Sequence, residues 1–137
     1  MRDQQVDPAD RVDDEDRAAL RAAVRELWED RAGSAGVRAT IERPAAVDPE
    51  LWARIGGLGL LGLTVPAAHG GAGATDVELG IAVEELGAAL ACGPFFSHAV
   101  LAAGLLAAGT EDAAVDRWLP AVAAGTLRAT AAVAEAG

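Results

Sequence analysis

Apolar residues recur every three to four positions in five stretches of the chain, the spacing of helices that bury one stripe. The first stretch carries Leu20, Val24, Leu27 and Trp28, with Arg17, Arg21, Arg25 and Glu29 on the face expected to meet solvent. Asp13 or Asp14 is placed to cap it, and Glu15 and Asp16 complement the positive end of its dipole. Residues 1–12 are polar, include Pro8 and read as a disordered leader. Gly33, Ser34 and Gly36 end this helix, and 33–47 reads as a linker.

Asp48-Pro49-Glu50 opens the second helix, with Asp as cap and Pro at the first helical position; Leu51, Trp52, Ile55 and Leu58 form its apolar face. Glycines follow, then an extended Leu63-Thr-Val-Pro66 and a turn-rich AAHGGAGA. Thr75 and Glu78 make a capping box for a third helix, whose stripe runs through Leu79, Ala82, Val83, Leu86 and Leu90. Gly93-Pro94 stops it, and Pro94 can start a fourth helix carrying Phe96, Val100, Leu101 and Leu105. Thr110-Glu-Asp starts a fifth with Val115, Trp118, Leu119 and Val122, in which Pro120 should cause a kink or a division. After Gly125, alternation from Leu127 to Val133 suggests one incipient strand. The expected fold is therefore all-α: a bundle of about five helices with a short strand beginning at the C-terminus.

Length and charge narrow the possibilities. The 137 residues suit one domain with a real core. A net charge of -10, with all eleven cations Arg and none between Arg54 and Arg117, disfavours nucleic acid and anionic membranes. Leu86 to Thr110 bears no full charge, but Pro94 interrupts it and Ala and Gly dominate, so two buried helices are expected rather than a membrane span. Cys92 is the single cysteine, which fits a reducing, cytoplasmic setting. His69 and His98 lie far apart without a Cys-x-x-Cys, and Glu84 and Glu85 diverge by about 100° on a helix. Neither a metal site nor a carboxylate pair is expected, and Ser34, Ser97 and Cys92 have no histidine in a nucleophile motif.

Gly57, Gly59 and Gly62 spell G-x-G-x-x-G. A pyrophosphate loop needs a strand running into the first glycine and a helix leaving the last. Here a helix precedes Gly57 and extended chain follows Gly62, so the glycines are read as a helix C-terminus, with Leu58, Leu60, Leu61 and Leu63 anchoring the turn.

The segment LWARIGGLGLLGLTVPAAHGGAG resembles the second-helix region of the acyl-CoA dehydrogenase family, which typically reads L-W-x-x-L-a-x-L-G-L-L-G-l-x-V-P-e-x-x-G-G-x-G. The stretch AVEELGAALACGPFF, the later AGTEDAAVDRWLP and the Gly before the final segment are similar too, so the likeness covers residues from about 13 to 137. It implies that 13–126 is the family's N-terminal helical domain and that 127–137 begins a truncated β-domain. It further implies an FAD-dependent oxidation of acyl-CoA thioesters, in which a carboxylate base takes the α-proton while hydride leaves the β-carbon for the flavin.

In the family that base and most flavin contacts lie in the β-domain and the C-terminal bundle, so this chain alone is expected to bind no FAD and to be inactive. By the same resemblance, backbone at Ala132, Val133 and Ala134 would lie beside the flavin in a longer polypeptide. Ala134 stands where the family commonly has a Thr, which removes a side-chain contact. Phe95 and Phe96 match the wall of the acyl pocket. The alternative is a stand-alone helical interaction module or non-catalytic subunit that docks on a partner flavoprotein. Either way, an apolar face should be left open for neighbours.

Overall fold

The computed structural model describes residues 8–29, 34–42, 47–109, 112–132 and 134. Helices α1 (Pro8–Glu29), α2 (Ser34–Ile41), α3 (Pro49–Gly57), α4 (Asp76–Ala88), α5 (Ala103–Ala107) and α6 (Asp112–Ala123) make up the fold. Short 3₁₀ turns at Leu60–Gly62 and Ala67–His69 and a π-helical stretch at Phe96–Ala102 complete the described elements. No strand occurs among the described residues.

Local signals set most of these boundaries. Asp48 accepts hydrogen bonds from the amides of Glu50 and Leu51, so α3 is capped as its sequence implies. The Thr75–Glu78 capping box is formed in both directions at α4. Helix α1 starts at Pro8 rather than at Asp13 or Asp14, because proline is at home in a first helical turn, where its missing N–H has no partner to lose. Residues 1–7 of the expected leader lie outside the described residues. The expected linker contains α2, a short helix in which the Thr40 hydroxyl donates back to the Gly36 carbonyl at 3.0 Å. Pro44 and the expected start of α6 at Thr110 and Glu111 also lie outside the described residues.

Two further expectations are corrected. Leu63 is helical in its backbone (φ -56°, ψ -46°), so the segment opens as a turn, and Pro66 at its end is extended (φ -55°, ψ 145°). The following loop folds back on this turn: the amides of Ala72, Gly73 and Ala74 donate to the carbonyls of Gly62, Val65 and Leu63 at 2.9–3.0 Å. Those bonds are short-range, which is why no sheet is needed to hold the segment. Helix α6 runs through Pro120 undivided. The segment after Gly125, expected to be a strand, is irregular through Ala132, since a lone strand has no neighbour with which to share its backbone hydrogen bonds.

The larger core brings Val24, Leu27 and Trp28 of α1 against Leu51 and Ile55 of α3, Ala82 and Leu86 of α4, and Leu60, Leu61, Leu63, Phe95 and Ala99. Each fully buried Leu or Val contributes roughly 1.5–3 kcal/mol of hydrophobic stabilisation. A smaller cluster joins Val65, Ala103, Leu119, Val122 and Ala123. Leu58, expected among the anchors, is instead about half exposed, because it lies beyond the last turn of α3.

Outside the larger core, α1 and α4 are stitched by charge. Arg17 bonds Glu78 at 2.7 Å, Arg21 bonds Glu84 and Glu85 at 2.7 and 2.8 Å, and Arg25 grips both oxygens of Glu85 at 2.8 and 3.0 Å. The arginines expected to face solvent therefore pair with the acidic face of α4. Glu85 is buried and held below its ordinary carboxylate range by Arg25 first and Arg21 second. The link to exposed Glu84 contributes little by comparison.

Candidate functional site

The π-helical stretch decides which side chains meet solvent. Its i→i+5 pattern is seen where the Ala103 amide donates to the His98 carbonyl. The wider turn buries His98, Ala99, Ala102 and Ala103 and turns Phe96, Leu101 and Leu105 outward. These three residues are spaced by one π turn and one α turn, so they form a single apolar ridge. Phe96 is 54% exposed and Leu105 59% exposed, high values for side chains of this size. Trp118, on α6 beside α5, is also partly exposed, and the Arg117 guanidinium lies 4.4 Å from its ring centroid.

Phe95 and Phe96, paired in the sequence, part company here. Phe95 is buried in the larger core, whereas Phe96 heads the open ridge. Ala132 and Ala134 are exposed, and no backbone hydrogen bond among the described residues engages either of them. Val133 lies outside the described residues.

The group that the sequence did not single out is His98. The sequence offers it only as one of two distant histidines, yet it is fully buried. Its Nε2 lies 2.9 Å from the Val122 carbonyl of α6, and its Nδ1 accepts the Ala129 amide at 3.1 Å. An amide donor on Nδ1 requires a lone pair there, and a carbonyl at Nε2 requires a proton, so the ring is neutral in the Nε2–H tautomer. Burial first lowers its pKa from the ordinary value, and the Val122 carbonyl partly opposes that. The Trp52 and His98 rings pack nearly at right angles (83°) at a centroid distance of 4.9 Å, and the Trp52 indole donates to the Gly125 carbonyl at 2.9 Å. The nearest signal in the sequence is the small-residue pattern Ala99, Ala102, Ala103 beside His98, which marks an inner face that a search for large apolar residues passes over.

Among the described residues no group of three or more His, Cys, Asp or Glu is placed to hold a metal, and no helix is long and apolar enough to cross a membrane. Glu84 and Glu85, expected to diverge, instead converge on the same Arg21 Nη1 at 2.7 and 2.8 Å, so both carboxylates are occupied by ion pairs. Gly57, Gly59 and Gly62 lie at the C-terminal end of α3 and in the turn after it, with no strand leading in.

Comparison with known proteins agrees with this geometry. The profile described as "Acyl-CoA dehydrogenase, N-terminal domain" matches residues 14–126. Acyl-CoA dehydrogenase FadE12 of Mycobacterium tuberculosis is 33% identical over 90% of this chain and 32% of its own length. Acyl-CoA dehydrogenase IpdE2 of the same organism is 36% identical over 72% of this chain and 31% of its own length. Among solved structures, a variant of the Tcur3481-Tcur3483 steroid ACAD superposes with a TM-score of 0.77 at 33% identity, over 85% of this chain and 32% of that one. The ChsE4-ChsE5 complex from Mycobacterium tuberculosis superposes with a TM-score of 0.75 at 25% identity, over 83% and 31%. The chain spans about a third of the length of the curated relatives it matches. With that profile covering most of its helices, the chain belongs to the acyl-CoA dehydrogenase family and carries the family's N-terminal domain.

Proposed function

We propose that this helical layer supplies one wall of the acyl pocket of an FAD-dependent acyl-CoA dehydrogenase, and that its substrate is a bulky, steroid-derived CoA thioester. The single observation that carries the reading is the apolar ridge of Phe96, Leu101 and Leu105, backed by small residues and left exposed among the described residues. A ridge of this kind suits a large alicyclic group, which is held by apolar area and shape rather than by hydrogen bonds. The steroid substrate class comes from the solved neighbour described as a steroid ACAD.

FAD would supply the acceptor for the hydride that leaves the substrate β-carbon. On this chain only the backbone of Ala132 and Ala134 is available to it among the described residues, which makes one edge of a flavin site and no phosphate cradle. Val133 would belong to the same edge. Phe95 acts behind the wall by fixing the start of the π-helical stretch, and Phe96 forms the wall itself. The catalytic base and the remaining flavin contacts come from a β-domain and a C-terminal bundle outside these 137 residues. A second reading, in which the chain is a non-catalytic subunit docked on a partner flavoprotein, draws support from the two-chain naming of both solved neighbours.

The test is a reconstituted enzyme assayed with a steroid CoA thioester and a straight-chain one, using flavin reduction as the readout. Phe96→Ala should raise KM for the bulky thioester several-fold more than for the straight-chain substrate. Equal effects on both, or none on either, would remove Phe96 and its ridge from the pocket.

A further inference from the structure

We propose that His98 is a positioning residue that latches the segment leaving α6, and that protonation of its ring opens the latch. The segment runs from Gly125 towards Ala132, and its fastenings change in kind along its length. Near α6 it is held by the Thr126 hydroxyl and the Leu127 amide, both donating to the Ala121 carbonyl at 3.1 Å. Farther out, the Ala129 amide rests on His98 Nδ1 at 3.1 Å. The same ring bonds the Val122 carbonyl through Nε2, so one side chain ties the π-helical stretch, α6 and the outgoing segment together. Trp52 buttresses the ring edge-on and pins Gly125 at the segment's start.

This arrangement has one tolerable protonation state. An imidazolium would set an N–H against the Ala129 N–H, so the second proton exchanges a hydrogen bond for a clash of donors. Trp52, Val122 and Ala129, which pack on or hydrogen-bond the ring, bring no charge. The charged side chains on the packed elements are Glu50 and Arg54 of α3, Asp112, Asp116 and Arg117 of α6, and Arg128 of the segment, all exposed except the half-buried Arg54. The turn at Leu60–Gly62, α5 and the π-helical stretch itself contain no charged residue. The ring's folded-state pKa lies below its unfolded value, so the stability it confers is present above about pH 6.5 and fades as pH falls through the lower folded-state value. The bond that fails first is the one to Ala129, because protonation at Nδ1 occupies the lone pair that bond uses.

The consequence for catalysis, that opening the latch shifts the backbone edge at Ala132, rests on the flavoenzyme reading above; the latch itself does not. The test therefore uses the chain as it stands, without flavin or thioester. Amide exchange by NMR, corrected for intrinsic rates, is followed from pH 7.5 to 5, together with the imidazole nitrogen shifts of His98. The expected result is an Nε2–H tautomer at neutral pH, and Ala129 protection that falls towards about tenfold per pH unit in the acid range while the Val24 amide of α1 keeps its protection. His98→Gln, which can donate to Val122 and accept from Ala129 without titrating, should hold Ala129 at every pH. Protection of Ala129 that does not change with pH, an Nδ1–H tautomer, or parallel loss at Ala129 and Val24 would each overturn the latch. If His98→Gln does not fold, the wild-type profile decides alone.

Discussion

The three glycines at 57, 59 and 62 look equivalent as a motif, yet the structure places each in a different environment, so substitution acts through a different cause at each. A Cβ on Gly62 would lie 2.7 Å from the Ala123 Cβ and 3.0 Å from the Ala123 Cα. Both atoms belong to a rigid helix, so the 3₁₀ turn or α6 must shift. Overpacking of that kind costs about 1–3 kcal/mol, and the reduced freedom of the unfolded chain returns about 0.4–1 kcal/mol. Gly62→Ala should therefore destabilise by about 1–2 kcal/mol, or roughly 3–10 °C in Tm for a chain of this size. Gly59 has φ +72° and open space around it, so Gly59→Ala should cost about 1–2 kcal/mol of backbone strain alone. A Cβ on Gly57 meets nothing within 4 Å in the last turn of α3, and Gly57→Ala should leave stability unchanged or raise it by up to about 1 kcal/mol. Thermal and urea melts followed by circular dichroism at fixed concentration measure all three. Gly57→Ala proving as costly as Gly62→Ala would refute the packing argument and reopen a functional role for the motif.

Two further substitutions follow from single contacts. Trp52→Phe removes the indole donor to the Gly125 carbonyl while keeping most of the ring, and should cost about 1–2 kcal/mol in urea unfolding; no change would mean the bond is not maintained in solution. Glu78 is pushed down to about 2 by the Thr75 hydroxyl first and Arg17 second. Its contribution to stability is therefore complete above about pH 4.5 and is lost as pH falls towards 2. Thr75→Ala should cost about 1 kcal/mol and move the Glu78 titration upward, as followed by carboxyl carbon NMR; an unmoved titration would show that Arg17 alone sets it.

Elements announced by local chemistry were legible in the sequence. The stripe of α1, the Asp48-Pro49 start of α3 and the capping box of α4 depend on neighbours within one turn, and all three stand in the structure. What depends on distant partners was not. Arg17, Arg21 and Arg25 look like a solvated face until α4 is placed opposite, with the partners 60 to 64 residues away in sequence. Helix α2 hides in a stretch with an internal glycine and only two large apolar residues, Val37 and Ile41. Phe96, Leu101 and Leu105 read as a helix's apolar face, but their spacing cannot say that the π-helical turn points them away from this domain's own core. The inner face instead uses alanines and a histidine, residues with little weight in an apolar periodicity.

The central claim is that this domain presents its Phe96–Leu105 ridge and outgoing segment to the rest of an acyl-CoA dehydrogenase. Hydrogen exchange of the chain, alone and assembled with polypeptide carrying the β-domain and C-terminal bundle, tests it directly. The account predicts new protection confined to 96–105 and 127–132, with the Arg-bonded face of α1 and α4 unchanged. Protection centred on α1 and α4, with the ridge still exchanging freely, would contradict it.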